Sequence, residues 1–283
     1  MNKSLIALAL AGAFAVPAFA QTSSSDATGA PPADTAEPAG PHTFTGNMTI
    51  ATDYRFRGIS QTFGKPTIQG GVDYSHESGI YLGNWISNIN EATGYPGGSI
   101  EMDFYGGWKK TFAEDFGLDI GLLYYYYPGT DTGFYSPCNA KNGITCASGR
   151  VDNTEMYLGL SWKTLSFKWS HALSDYFSIP GTSGTNYFDL SGTYDLGEGW
   201  GINGHVGYTD LRNFQSFNGD DGKYTDWKLG VTKDFSGWVV GLAYVDTNAK
   251  GSTLGDTYRY INTNGKELDA GKATAVLSLT KTF

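Results

Sequence analysis

At 283 residues with a formal net charge of −9, the chain carries no clustered basic face for a phosphate backbone, which excludes a nucleic-acid partner. Charged residues make up only 17% and aromatics 15%, with Gly (39 residues) at about twice its usual share, an unusual balance for a soluble domain. A mean hydropathy of −0.30, with no apolar run of about 18 residues beyond the N-terminus, excludes spanning helices, so any membrane would have to be crossed by strands.

In chain order, residues 1–20 read as a cleaved signal peptide: Lys3 supplies the positive start, "SLIALALAGAFAV" the apolar core and Ala18-Phe19-Ala20 the small-x-small site before Gln21. The apolar core is too short to span a bilayer, so export follows. Residues 21–42, rich in Ser, Thr, Ala, Pro and small acids, lack a periodic apolar face and are expected to be a disordered leader.

From residue 43 to 283 the sequence alternates with a period of two. The first distinctive stretch is "TDYRFRGISQT" (52–62), which sets Asp53, Arg55 and Arg57 against Thr52, Tyr54 and Phe56. Read as a wall strand, it points the charges inward and turns Tyr54 and Phe56 toward lipid near the outer rim. Short turns with Ser, Gly, Asp or Glu at the bend follow at "YSHESGIY", "FAEDF", "WKTLSF", "YDLGEGW" and "FSGW", each bracketed by aromatics. Between them lie long connections, the longest spanning "PGTDTGFYSPCNAKNGITCASGRVD" and the loop ending in "GKELDAG". Six long and five short connections in strict alternation predict twelve strands, with both chain ends on the short-turn side. Within the third long connection Cys138 and Cys146 are expected to pair, since an oxidising compartment favours a disulfide that closes a small loop for roughly 2 to 3 kcal/mol.

The last strand, "KATAVLSLTKTF", places Ala273, Ala275, Leu277, Leu279 and Phe283 on one face and Lys272, Thr274, Ser278, Thr280 and Thr282 on the other. Alternation alone does not say which face is inside, because a soluble sandwich and a membrane barrel share it. Aromatics flanking the short turns, a terminal aromatic and the lack of any cap for two sheet edges favour closure. The fold class predicted is all-β: a single antiparallel transmembrane β-barrel of about twelve strands, with short periplasmic turns and long extracellular loops. Lys281, on the parity of Phe283, departs from the apolar pattern, although a long side chain can snorkel at an interface.

The inward parity then collects Asp53, Arg55, Arg57, Asp73, Glu101, Asp103, Lys109 and Asp119 from the first half of the barrel. The second half adds Glu155, Lys168, Asp189, Asp195, Asp226, Lys228 and Lys272. Acids outnumber bases, which favours small hydrophilic cations or neutral polar solutes over anions in a low-dielectric pore. The competing reading is that facing charges pair into ladders that fill the interior, because twelve strands lie between filled eight-stranded barrels and wide sixteen-stranded channels. Of the histidines (His42, His76, His171, His205), His205 is the best candidate base, yet no spacing specifies a triad or a metal site. No catalytic residue, metal ligand or cofactor is therefore assigned.

"TDYRFRGISQT", "QGGVDY" (69–74), "SGIYLGNWISN" (78–88), "EMDFYGG" (101–107), "YYYPG" (125–129) and "TEMYLG" (154–159) together resemble the TorF family of outer-membrane porins of Gram-negative bacteria. The resemblance runs through the barrel, is strongest over residues 50–160, and does not reach the leader or the cysteine loop. It implies an outer-membrane porin and offers no catalytic residue. The partners expected are the lipid bilayer and lipopolysaccharide, small hydrophilic solutes, and the barrel-assembly machinery through the C-terminal strand ending at Phe283. No stretch marks an oligomer interface.

Overall fold

Strands that are apolar on one face and polar on the other, joined by tight Gly-containing turns, can pair every backbone group without water only by closing on themselves. The computed structural model, which describes residues 40–112, 115–131, 149–216 and 218–283, has this closure. Its strands are β1 (His42–Ala51), β2 (Arg55–Phe56), β3 (Ile59–Ser60), β4 (Thr67–His76), β5 (Ile80–Asn88), β6 (Ile100–Phe112), β7 (Phe116–Tyr126) and β8 (Asp152–Trp162). They continue as β9 (Leu165–Ala172), β10 (Asn186–Gly197), β11 (Trp200–Asp210), β12 (Tyr224–Phe235), β13 (Trp238–Thr247), β14 (Arg259–Ile261), β15 (Glu267–Asp269) and β16 (Thr274–Thr282). Twelve of these, β1, β4 to β13 and β16, form a closed antiparallel barrel, while β2–β3 and β14–β15 are separate two-stranded ribbons. The ends meet in register, Asn47 opposite Thr282 through Ala51 opposite Ser278, so the wall has no free edge along that seam.

Side chains divide by parity. Ile68, Val72, Leu82, Leu122, Leu190, Leu229, Leu242 and Leu277 stand exposed on the outer face, whereas Thr49, Gln69, Glu101, Asn153, Glu155, Asp226 and Thr280 are buried inside. A water-soluble fold would invert this arrangement; an apolar surrounding medium accounts for it. Near the short turns Phe112, Phe116, Trp162, Trp200, Phe235 and Trp238 remain exposed as a girdle. Lys281 reaches back to this girdle, its ammonium 5.6 Å from the Trp238 ring centre, which explains how a charge sits on the apolar parity. The "FSGW" turn carries φ of 56° at Ser236 and 84° at Gly237, the twist that a two-residue hairpin between right-twisted strands requires.

One expected wall strand is not there. β1 ends at Ala51: the Thr52 N–H donates to Leu277 O and the Thr52 hydroxyl oxygen accepts the Leu277 N–H, which closes off the ladder. The chain then turns into the barrel and returns to the wall at Thr67, opposite Ala51. Residues 52–66 include the β2–β3 ribbon, with Arg55 opposite Ser60 and Phe56 opposite Ile59. Arg57 (φ 48°) and Gly58 (φ 79°) make the bend. A Cβ at Gly58 would meet Thr247 Cγ2 at 2.3 Å and Asp226 Cβ at 2.8 Å, so only glycine fits between the ribbon tip and the wall. Tyr54 is therefore fully buried in the lumen and does not face lipid. Phe56 likewise packs inward, edge-on to Tyr125 and Phe177 at 5.6 Å each. The period-two pattern that suggested a wall strand is equally met by an inward ribbon, since both are extended backbone.

The signal peptide, almost all of the leader and the Cys138–Cys146 pair lie outside the described residues.

Candidate functional site

Backbone closure leaves the inward side chains to decide whether the barrel is filled, and on the long-loop side they are drawn together by the ribbon. Asp53 is satisfied three ways: Arg55 Nε donates at 2.6 Å, Ser60 Oγ at 2.8 Å and Thr62 Oγ1 at 2.7 Å. Arg55 also donates through Nη1 to the carbonyls of Gly58, Ala270 and Lys272 (3.1, 2.8 and 3.1 Å), tying the ribbon to the loop before β16. Arg57 crosses to the opposite wall, where its Nη2 donates to both carboxylate oxygens of Glu155 on β8 at 3.0 and 2.8 Å. Its Nη1 donates to Tyr176 OH at 3.0 Å, and the guanidinium plane lies 4.2 Å from the Tyr187 ring centre. Burial pushes the Tyr176 hydroxyl up to about 12, against the opposing pull of Arg57, so it remains a neutral acceptor. Desolvated ion pairs hold only when every donor and acceptor has a partner, and this cluster meets that condition.

The inward segment also contributes to a tyrosine cluster. Tyr54, Tyr81, Tyr95, Tyr125, Tyr127 and Tyr157 belong to one buried cluster with Leu123 and Val151. Tyr127 OH donates to Glu101 at 2.7 Å, and Tyr95 stacks on Tyr127 at 4.3 Å while its own hydroxyl donates to Gln61 at 2.7 Å. Tyr81 OH donates to Asp119 at 2.6 Å and is bonded to Tyr157 OH.

Toward the short turns the inward groups open up. Asp73 accepts from Tyr105 OH at 2.6 Å. Lys109 lies opposite Asp119, and Lys168 opposite Asp189, in the strand register. Their ammoniums are seated over tyrosine rings, Lys109 at 5.3 Å from Tyr81 and Lys168 at 4.3 Å from Tyr157. His205 Nδ1 on β11 is hydrogen-bonded to Asp189 at 2.7 Å, its Nε2 lies 3.6 Å from Asp226, and Lys228 stands opposite it on β12. Ser191 Oγ donates to Asp189, so the nearby hydroxyl is engaged by the acid and the imidazole serves a cross-strand bridge. Among the described residues no three His, Cys, Asp or Glu side chains converge as a metal site.

Of the residues expected to line the interior, Asp53, Arg55, Arg57, Glu101, Asp103, Asp119, Glu155 and Asp226 are buried within the barrel. Asp73, Lys109, Lys168, Asp189 and Lys228 are half-buried, and Asp195, close to a short turn, is exposed. Lys272 is exposed on the long-loop side and joins the cluster only through its carbonyl. Sequence reasoning missed the tyrosines as interior groups. The signal was present, since Leu123, Tyr125 and Tyr127 share the inward parity, but only charged side chains were taken to mark the interior.

A family model described as "Bacterial protein of unknown function (Gcw_chp)" matches residues 35–283. No curated protein matches the chain. Among solved structures the chain is similar to the NanC porin, with 8% identity over 85% of this chain and 99% of that one at a TM-score of 0.49. It is also similar to the KdgM porin in complex with disordered oligogalacturonate, with 6% identity over 85% and 99% of the two chains at a TM-score of 0.47. The P. putida toluene transporter TodX shares 11% identity over 87% and 91% of the two chains, at a TM-score of 0.42. At these values the likeness says nothing of what passes through this chain.

Proposed function

Because the chain belongs to the Gcw_chp family of bacterial proteins of unknown function, we propose its role from the barrel's own chemistry: a porin-like outer-membrane channel whose first long connection folds into the lumen as a plug. The observation that carries this reading is the inversion of faces, an apolar belt outside and a charged, tyrosine-lined interior within one closed sheet. An enclosed polar interior suits passage of small hydrophilic solutes, and the ribbon at 52–66 supplies a removable constriction. On this reading the chain is exported by its signal peptide, is surrounded by bilayer lipid and lipopolysaccharide, and is delivered through a final strand ending at Phe283. The finer assignment to TorF porins is part of the same proposal.

Preference for cations or neutral solutes rests on carboxylates outnumbering bases inside, tempered by the neutralisation of Asp53 by Arg55 and of Glu155 by Arg57. The second reading, a filled barrel with a structural or adhesive role, is favoured by the same ribbon, because its buried ion pairs would persist in a permanent plug. A barrel enzyme acting through His205 has less support, since the Ser191 hydroxyl beside it donates to Asp189 and not to the imidazole. Purified protein in planar bilayers under a KCl gradient separates these readings. Stepwise conductance with a cation-side reversal potential is expected; an anion-side potential contradicts the selectivity, and no steps from either the intact chain or one lacking the ribbon contradicts the channel.

A further inference from the structure

Every lumenal carboxylate described above has a donor except at one place. On β6, both oxygens of Asp103 and Oε2 of Glu101 are buried without a hydrogen-bond partner, and so is the hydroxyl of Tyr54. The three side chains are at most 1% exposed. Glu101 and Asp103 stand two apart on one strand and so share the inward face. Burial, and then the charges of Glu101 and Asp103, push the Tyr54 hydroxyl well above its ordinary value, so it stays a neutral O–H lying beside both acids. Asp103 ionised with neither donor nor counter-charge, beside a Glu101 whose hydrogen bond from Tyr127 reaches only one oxygen, does not persist away from water; something positive must accompany the pair. A proton on each acid is one way to remove the charge, and the calcium measurement below decides against it or for it. A hard divalent cation takes only oxygen ligands and answers both acids together.

We infer that Glu101, Asp103 and the Tyr54 hydroxyl form a binding site for a hard divalent cation of the calcium class, held between the wall and the inward ribbon. Tyr54 belongs to the ribbon and the two acids to β6, so the ion joins plug to wall and stabilises the closed arrangement by binding it preferentially. The consequence for conduction rests on the channel reading; the ion site does not.

The test is calcium binding to purified, chelator-stripped protein in detergent, followed by calorimetry and by terbium luminescence. Trp85 stands 5.4 Å from the Tyr54 ring, centre to centre, and makes a local antenna. Saturable binding of about one calcium ion per chain is expected, weakened at least about tenfold in E101Q/D103N. Absence of saturable calcium binding in the intact chain, with only a pH-dependent uptake of protons, overturns the site, as does unchanged affinity in E101Q/D103N. If that double variant fails to give a heat-modifiable barrel, Tyr54→Phe decides: weakened calcium binding supports the site and unchanged affinity removes Tyr54 from it. In bilayers, chelation is expected to raise the frequency of open steps. Calcium binding without that response leaves the site standing and contradicts its coupling to the plug.

Discussion

Arg57 shows how single groups hold the interior. Its side chain and that of Glu155 are 6% and 3% exposed, so each charge depends on the other. Arg57→Ala strands Glu155 and is expected to cost about 3 to 5 kcal/mol, read as a lower urea midpoint for loss of the compact gel form. Replacing both, Arg57→Met with Glu155→Leu, removes the stranded charge and should recover most of that loss; a double variant no better than Arg57→Ala contradicts the account. Gly58 is the second sensitive residue. Gly58→Ala adds a left-handed penalty of about 1 to 2 kcal/mol to a contact of 2.3 Å with Thr247 Cγ2. The wall does not need Gly58, so the expected result is a displaced ribbon in an assembled barrel, detected as faster protease cleavage near Lys65; unchanged cleavage would show the ribbon tolerates the methyl.

At the level of elements, the wall was legible and the plug was not. Short turns such as "FSGW" and the alternation in "KATAVLSLTKTF" state strand, bend and parity locally, because hairpin register depends on neighbours in sequence. The number of strands followed from counting them, and closure from the flanking aromatics and the lack of edge caps. Residues 52–62 alternate just as cleanly, but their destination is decided by partners far away: Glu155, Tyr176, Ala270 and the wall beside Gly58. Period two marks extended backbone and carries no information about which side of the wall it lies on. Parity says nothing of how the charges pair: Arg57 with Glu155, across 98 positions, is a tertiary fact. Because Ala51 and Thr67 are already paired in the wall, replacing 53–65 by a short Gly-Ser turn should leave a barrel of unchanged strand content by circular dichroism. Loss of the heat-modifiable form in that variant would mean the ribbon is needed for assembly.

For the whole molecule, the outer belt should behave as a lipid-facing surface. Leu242 is 51% exposed in the middle of β13, and Leu242→Arg there should cost about 2 to 4 kcal/mol in lipid vesicles. A negligible effect would place that face away from the acyl chains. Lumenal substitutions of the same size, made among the half-buried groups near the short turns, should leave vesicle stability almost unchanged and alter ion preference instead. Such a division between outer and inner face is what a membrane channel has and a soluble sandwich lacks.

The central claim, that residues 52–66 plug an otherwise passable barrel, is tested most directly by single-channel recording of the intact chain beside the variant with 53–65 replaced. Larger conductance steps, open for longer, are predicted for the variant. Equal steps from both proteins, or none from either, would contradict it.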